Sequence, residues 1–399
     1  MPSCSASSLK SIILMNKVFL YLLSLSLLAF TVACGREKDP VEDVEDVIPD
    51  PVTNVSFAKG ADISWASEME RGGISFKDDK GGSDIFQVLK NSGMNSVRFR
   101  VWVNPYDQNG WCGQDDVVNM AKRARNAGMA IMIDFHYSDI FADPGRQTIP
   151  SSWASYSKDV SKVASAVSSH TVTVLNALKL AGVVPAWVQV GNETDNGMVW
   201  DAGKIDWNKS GSARYSDYVK VSNAGYDAVK QVFPSAPVIV HISDAYKAGD
   251  YDGWFFKEFK EAGGKFDIIG LSHYPMTDVK IDGQKATWQQ LNSKAISSIK
   301  TLAAKNSCKV MVCEVGVRPT SSEAGACLKS FIDSVKGLGS NVCAGVLYWE
   351  PEVDGKWKPA IYSKAGLVCN GWNAYDMGAF TSSGSVFSPV TSILGAFSN

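Results

Sequence analysis

The stretch Ala186-Trp187-Val188-Gln189-Val190-Gly191-Asn192-Glu193 decides the fold, and Lys309-Val310-Met311-Val312-Cys313-Glu314 repeats its logic further along the chain. Each is a short strand-like apolar run that closes on a glutamate. Buried apolar strands ending in a carboxylate place that acid at the mouth of a parallel sheet, where barrel enzymes keep their chemistry. Two such acids suggest glycoside hydrolysis, in which one carboxyl protonates the leaving oxygen while the other attacks or activates water. Either glutamate alone is as readable as a salt-bridged strand end. The pair, with Asn192 ahead of one of them, favours chemistry.

Working outward, apolar runs recur at 57–63, 96–101, 130–135, 186–190, 238–242, 267–272, 309–313 and 344–349. The intervals leave room for a helix after each, and 114–127, 157–181 and 212–233 carry apolar residues at helical spacing. Gly93, Gly128 and Gly182 stand where three helical stretches should stop. Eight strands alternating with helices predict an α/β fold, a single (β/α)8 TIM barrel over residues 56–399, with no linker-like composition to divide it. The segment 350–387, rich in Gly, Trp, Tyr and Asn, is long for a last loop and should fold over the barrel mouth.

The chain has 399 residues, 45% of them hydrophobic, so it can bury a large core. Its net charge is only −2, which gives no basic face, and nucleic acid is not an expected partner. Lys17 precedes an apolar run, 18–33, that is short for a bilayer span and reads as a secretory signal. The run ends Phe30-Thr31-Val32-Ala33-Cys34-Gly35, which resembles a bacterial lipobox and marks Cys34 as a lipid anchor. Residues 1–34 are therefore read as a lipoprotein signal peptide. Met15-Asn16-Lys17 is the more natural start, which would leave 1–14 upstream of it. Residues 35–55, rich in Glu, Asp, Pro and Val, read as a flexible tether. The expected product is an exported, monomeric lipoprotein on the bacterial outer membrane at the cell surface, with periplasmic or secreted forms as alternatives, and it would touch membrane only through Cys34.

Beyond Cys4 and Cys34 there are six cysteines, an even count that permits disulfides without fixing a pairing. Cys313 reads as a small core residue beside the acid, since no histidine is placed to activate it. The chain has four histidines, with no HxH or HExxH spacing, so no metal site is expected.

Polar residues gather at the C-terminal ends of the runs: Asp62 after the first, Arg98 and Arg100 along the second, Asp134, His136 and Asp139 after the third, and Asn192 and Glu193 after the fourth. His241 and Asp244, then His273 and Tyr274, then Glu314, then Trp349 and Glu350 continue the ring. Arg98 and Arg100 share one face of their strand, because side chains alternate with period two. Either can be a structural ion pair inside the barrel. His241 is as readable as a buried core histidine. Trp102, Trp111, Trp200, Trp349, Trp357 and Trp372 fall near the mouth, where an indole can stack on a sugar face, whereas Trp187 lies within strand four and reads as core.

Here a resemblance becomes specific. Gly60-Ala61-Asp62-Ile63-Ser64, the segment Val97 through Pro105, Asp134-Phe135-His136-Tyr137-Ser138-Asp139 and Ala142-Asp143-Pro144 resemble the endo-β-1,4-galactanase family. Gly191-Asn192-Glu193, Tyr274-Pro275 and Tyr348-Trp349-Glu350-Pro351 follow in the family's order. The Asn-Glu pair alone would indicate only the broad clan of retaining barrel glycosidases, a mannanase or xylanase among them. The strand-two and strand-three segments narrow it. The resemblance implies hydrolysis of β-1,4-galactan or type I arabinogalactan in pectin side chains, with Glu193 as acid/base and Glu314 as nucleophile, their carboxyls about 5 Å apart. The nucleophile needs a cation beside it, and by strand parity Arg100 is the candidate, with Arg98 on the same face as the other. Tyr274 is expected to orient Glu314, Asn192 to hold the sugar 2-hydroxyl, and Asp62, Trp102, His136, Asp139, His273 and Trp349 to bind substrate. No organic cofactor is implied. After Val315-Gly316-Val317-Arg318-Pro319 the connection 320–326 is short, where some bacterial relatives carry a longer loop associated with calcium, and this departure argues against a bound calcium.

Overall fold

The computed structural model describes residues 50–105, 110–251, 255–361 and 374–398. Cys34, the signal segment, most of the tether, Cys369 and Trp372 lie outside them.

Eight parallel strands close into a barrel: β1 (Ala58–Asp62), β2 (Ser96–Val101), β3 (Ala130–Phe135), β4 (Trp187–Val190), β5 (Val238–Ile242), β6 (Ile268–His273), β7 (Lys309–Val315) and β8 (Cys343–Trp349). Each strand pairs with its neighbours in sequence, and β8 closes on β1 from Ala58 opposite Gly345 to Asp62 opposite Trp349. Helices return the chain between strands, among them α1 (Ile85–Asn91), α2 (Gln114–Asn126), α3 (Val160–Leu180), α4 (Ser216–Val232), α5 (Phe255–Glu261), α6 (Trp288–Asn306) and α7 (Ala324–Gly337). The fold is the expected (β/α)8 barrel.

Local chemistry sets the helix limits. The Asp159 carboxylate accepts from the Lys162 amide at the start of α3, and Thr287 with Gln290 forms a reciprocal capping box at the start of α6. Gly128 (φ 68°) and Gly182 (φ 71°) take the left-handed conformation just beyond α2 and α3, which a side chain would resist.

Period-two alternation divides each strand between two cores. Outward residues such as Val97, Phe99, Val101, Ile131, Ile133, Val188 and Val190 pack under the helices. Inward residues Ala58, Met132, Trp187, Ile239, Met311, Cys313 and Leu347 fill the barrel floor, where Val52 and Val55 join them from below. Trp187 is thus core, as its position in strand four implied. Above this apolar plug the interior turns polar, and that change of layer builds the site.

Candidate active site

Arg98 is the hub of the polar layer. Its side chain rises from the middle of β2 into the barrel and is about 1% exposed. One guanidinium nitrogen meets Asp62 of β1 at 2.9 Å; the other meets Asp134 of β3 at 2.6 Å and Glu314 of β7 at 3.1 Å. That second nitrogen also donates to Asn192 Oδ1 at 2.8 Å and to Gln189 Oε1 at 3.3 Å. Burial works against the charge, but Asp134, Glu314 and Asp62 outweigh it and hold the Arg98 pKa above its ordinary value. In return, and again against burial, Arg98 and His136 hold Asp134 below the usual carboxylate range.

Glu314 faces this hub because β7 is irregular. Opposite β6, the register slips between Val312 and Glu314, so that Cys313 and Glu314 both turn inward where strict alternation would send one of them out. One carboxylate oxygen of Glu314 receives Arg98 and the other receives the Tyr274 hydroxyl at 2.6 Å. Burial raises the Glu314 pKa, and both of these donors pull against that rise. Glu193 lies beyond β4 with φ 45°, a left-handed conformation that costs a residue with a side chain free energy and is common where function fixes geometry. Gly191 (φ 82°) makes the same turn possible: a Cβ there would come within 2.6 Å of Thr194. Burial pushes Glu193 well above the ordinary carboxyl range and the Glu314 charge adds to it, with Asp195 and Asp244 raising it further. The two acids are therefore unequal. Of the two, Glu193 is the better placed to carry a proton, since no cation figures among the groups that shift it, and Glu314 the better placed to keep a charge, since Arg98 and Tyr274 favour it.

Asn192 is fixed at both ends of its amide. Its oxygen accepts from Arg98 and lies 2.9 Å from His241 Nδ1, and its nitrogen donates to the Ala142 carbonyl at 2.8 Å. The second N–H of that amide has no hydrogen-bond partner among the described residues. Trp349 is half-buried at the end of β8, and its ring meets those of Tyr274 and Phe141 edge-on, with centroids 6.1 and 6.3 Å away. These residues, with Glu193, Glu314 and Tyr274, are brought together as the sequence pattern implied.

Several expectations need correction. The cation at Glu314 is Arg98, not Arg100: both point inward, but Arg100 sits one pleat higher and turns toward the end of β8, where it pairs with Glu350 at 2.5 Å. There its guanidinium lies 3.9 Å from the ring centre of Trp65 and 4.6 Å from that of Phe141. Trp102 is about 1% exposed, packed edge-on against Trp65 and Phe141, and cannot stack on a sugar. His273 faces the helix layer, not the mouth. In β6 it is Ser272 that points inward, to His241 Nε2 at 2.9 Å, so by alternation His273 points out, to Asn292 of α6 at 2.8 Å and Phe331 of α7. Burial lowers the His273 pKa to about 4, so it is neutral there. Asp62 is fully buried against Arg98 and Ser64, underneath the site. Asp139 accepts from the backbone amides of Asn104 and Ser151 at 2.9 and 2.8 Å and ties loops together, and His136 spends both ring nitrogens on Asp134 and the Ala142 amide. Asp62, Asp139 and His136 shape the mouth from beneath.

Two contributors escaped the sequence reading. Gln189 donates to the Gly191 carbonyl and shares the Asn192 and His241 contacts. As the lone polar residue in an apolar strand, inward by parity, it was legible. Gln147 donates to the carbonyls of Asn192 and Glu193 from a loop with no such signal. Cys112, Cys308, Cys313, Cys327 and Cys343 are all free thiols. Among the described residues no group of three or more His, Cys, Asp or Glu is arranged to hold a metal ion.

Comparison with known proteins agrees with this geometry. The sequence model of glycosyl hydrolase family 53 matches residues 58–392. An arabinogalactan endo-β-1,4-galactanase of Thermothelomyces thermophilus is 30% identical over 72% of this chain and 88% of its own. An endo-β-1,4-galactanase of Bacillus subtilis is 29% identical over 84% of this chain and 79% of its own. Among solved structures, the catalytic domain of a family 53 enzyme from Ignisphaera aggregans superposes with a TM-score of 0.70 at 25% identity, covering 88% of this chain and 97% of that one. With the barrel, its strand-end acids and a family match across nearly the whole described region, the chain belongs to glycosyl hydrolase family 53.

Proposed function

We propose that this chain is an endo-acting, retaining β-1,4-galactanase that cuts galactan and type I arabinogalactan, as in pectin side chains. The observation that carries the chemistry is the inequality of the two acids. Glu314 is held between Arg98 and Tyr274, whereas Glu193 is partly buried and the groups that shift it among the described residues are acids and the Ser272 hydroxyl. Glu193 gives its proton to the glycosidic oxygen as that bond breaks, and Glu314 attacks the anomeric carbon to form a covalent galactosyl-enzyme. Glu193, now ionised, takes a proton from water, whose oxygen displaces Glu314 and restores the original anomeric configuration. The spare Asn192 N–H meets the 2-hydroxyl, a bond that strengthens as the ring flattens. The names of the relatives support galactan as the substrate.

The test is the product profile of the purified protein on β-1,4-galactan, with mannan and xylan alongside, and proton NMR of the first product. A fast fall in viscosity, a ladder of galacto-oligosaccharides and an initial β anomer are expected. Cleavage of another backbone in place of galactan would remove the substrate assignment and keep the acids. No cleavage of any would make the barrel a glycan-binding protein.

We propose as well that the protein is an outer-membrane lipoprotein acylated at Cys34, facing the cell exterior and acting as a monomer. The lipobox-like segment 30–35 behind the apolar run supports the anchor, and a polymeric substrate favours the outer face. Protein from its native host should partition into detergent and lose that behaviour on Cys34→Ser; a soluble mature form without lipid would refute the anchor.

A further inference from the structure

Trp207 is one of two large apolar side chains that stand out of the described surface, 43% exposed, and nothing in the catalytic arrangement uses it. It belongs to the long connection after β4, the connection that carries Glu193 near its start. Its indole N–H donates to the Asn196 side-chain oxygen at 3.2 Å. The carbonyl of the same asparagine accepts the indole N–H of Trp200 at 3.0 Å. Asn196 is itself tied to the loop after β3 through the Pro144 carbonyl at 2.9 Å. One residue thus accepts both indole N–H groups, one through its backbone carbonyl and one through its side chain. Trp200 is in turn fixed toward the catalytic acid, because its amide donates at 2.8 Å to the carbonyl of Gln147, whose own side chain holds the Asn192 and Glu193 carbonyls. A cation lies near each ring: Lys204 at 4.4 Å from the Trp200 centre, and Arg214, paired with Glu258 of α5, at 5.2 Å from that of Trp207.

The chemistry gives this row a direction. The sugar that becomes covalently attached lies over Glu314, while Glu193 touches the oxygen that leaves. Chain that continues past Glu193, on the side of the loops after β3 and β4, is therefore leaving-group chain. Trp349, at the end of β8 and against Tyr274, lies on the opposite flank of the mouth. A galactan strand has apolar sugar faces that suit indole surfaces, and rings pre-set by hydrogen bonds lose little freedom on stacking.

We infer that Trp200 and Trp207, clamped by Asn196, are the platform that binds the galactosyl units on the leaving-group side of the scissile bond. This rests on the galactanase reading above. The same platform receives the incoming sugar when a galacto-oligosaccharide, in place of water, displaces Glu314, so it governs transfer as well as cleavage.

The experiment compares the wild type with Trp207→Ala and Trp207→Phe on three readouts: galactan, 4-nitrophenyl β-1,4-galactobioside, and transfer to added galactobiose. The nitrophenyl substrate carries no sugar beyond the scissile bond. For Trp207→Ala, a rise of about tenfold in KM on galactan is expected, the size of a lost aromatic anchor, with a matching loss of transfer and unchanged kcat/KM on the nitrophenyl substrate. Trp207→Phe should recover much of both. Equal losses on galactan and the nitrophenyl substrate would mean a merely structural role and overturn the inference. So would wild-type behaviour of Trp207→Ala on galactan and in transfer. A wild type that ignores galactan while cutting another polymer would instead overturn the substrate reading, which is a separate failure.

Discussion

Tyr274→Phe removes one oxygen and, with it, the 2.6 Å bond to Glu314. Hydrogen bonds to charged groups contribute about 1.5–3 kcal/mol. This one favours the ionised form, so the Glu314 pKa should rise further in the variant. The sign follows from the mechanism. Glu314 must be ionised to attack, and burial, with Asp134 and Asp62 adding to it, already raises its pKa against the pull of Arg98 and Tyr274. Without Tyr274 the acidic limb of kcat/KM moves to higher pH, toward the limb set by the protonated Glu193, and the bell narrows from its acid side. The plateau should fall by about tenfold, less than the bond's full strength, because the resting carboxylate is stabilised by the same bond as the attacking one. The assay is kcat/KM on 4-nitrophenyl β-1,4-galactobioside across pH, with a melting curve at each pH. An acidic limb that stays in place in a variant of wild-type stability would refute the claim that Tyr274 holds Glu314 in its charged form.

Glu193→Ala should lower galactan hydrolysis by about 10²- to 10⁴-fold, and azide should restore turnover of the nitrophenyl substrate as a β-galactobiosyl azide; an α azide would reverse the roles of the two acids. Arg98→Met leaves Asp62 and Asp134 buried without their cation and should cost about 3–5 kcal/mol of stability, read as a lower melting temperature, so an unchanged melt would contradict the hub. Trp102→Ala should cost about 3–5 kcal/mol through the cavity it leaves while KM on galactan stays put, whereas a raised KM at wild-type stability would return Trp102 to the sugar-binding face.

The barrel was legible because its strands are buried on both faces and so read as apolar runs bounded by turn residues; each run overlaps the strand found. The two glutamates were legible for the same reason, as charge at the end of an apolar run. What failed was height and parity. Arg98 and Arg100 share a face, but one pleat decides which of them reaches β7, and nothing local to β2 reveals that level. Glu314 turns inward through a slip in register that sequence alternation cannot announce. His273 was misread although the parity of β6, with Ser272 inward, was available to read. Trp102 is covered by Trp65 and Phe141 from other connections, and such non-local burial leaves no trace near residue 102. Glu193, Asn192, Tyr274 and Trp349 stand at or just past the ends of their strands, a position that follows directly from where each apolar run stops.

The arrangement around Arg98 sets three carboxylates, Asp62, Asp134 and Glu314, against a single guanidinium. Arg100 does not relieve this imbalance, since it is matched by Glu350, and His241 does not either, since burial and Arg98 keep its imidazole uncharged. The three acids, answered by Arg98 and on the Asp134 side by His136, leave the interior below the mouth with more acidic groups than cations, an arrangement fixed when the chain folds. A sugar acquiring oxocarbenium character brings positive charge into that arrangement, and no dipole has to turn to meet it. A barrel that gives up some folding stability to crowd like charges around one arginine has in effect been polarised in advance for the one moment at which its substrate is a cation.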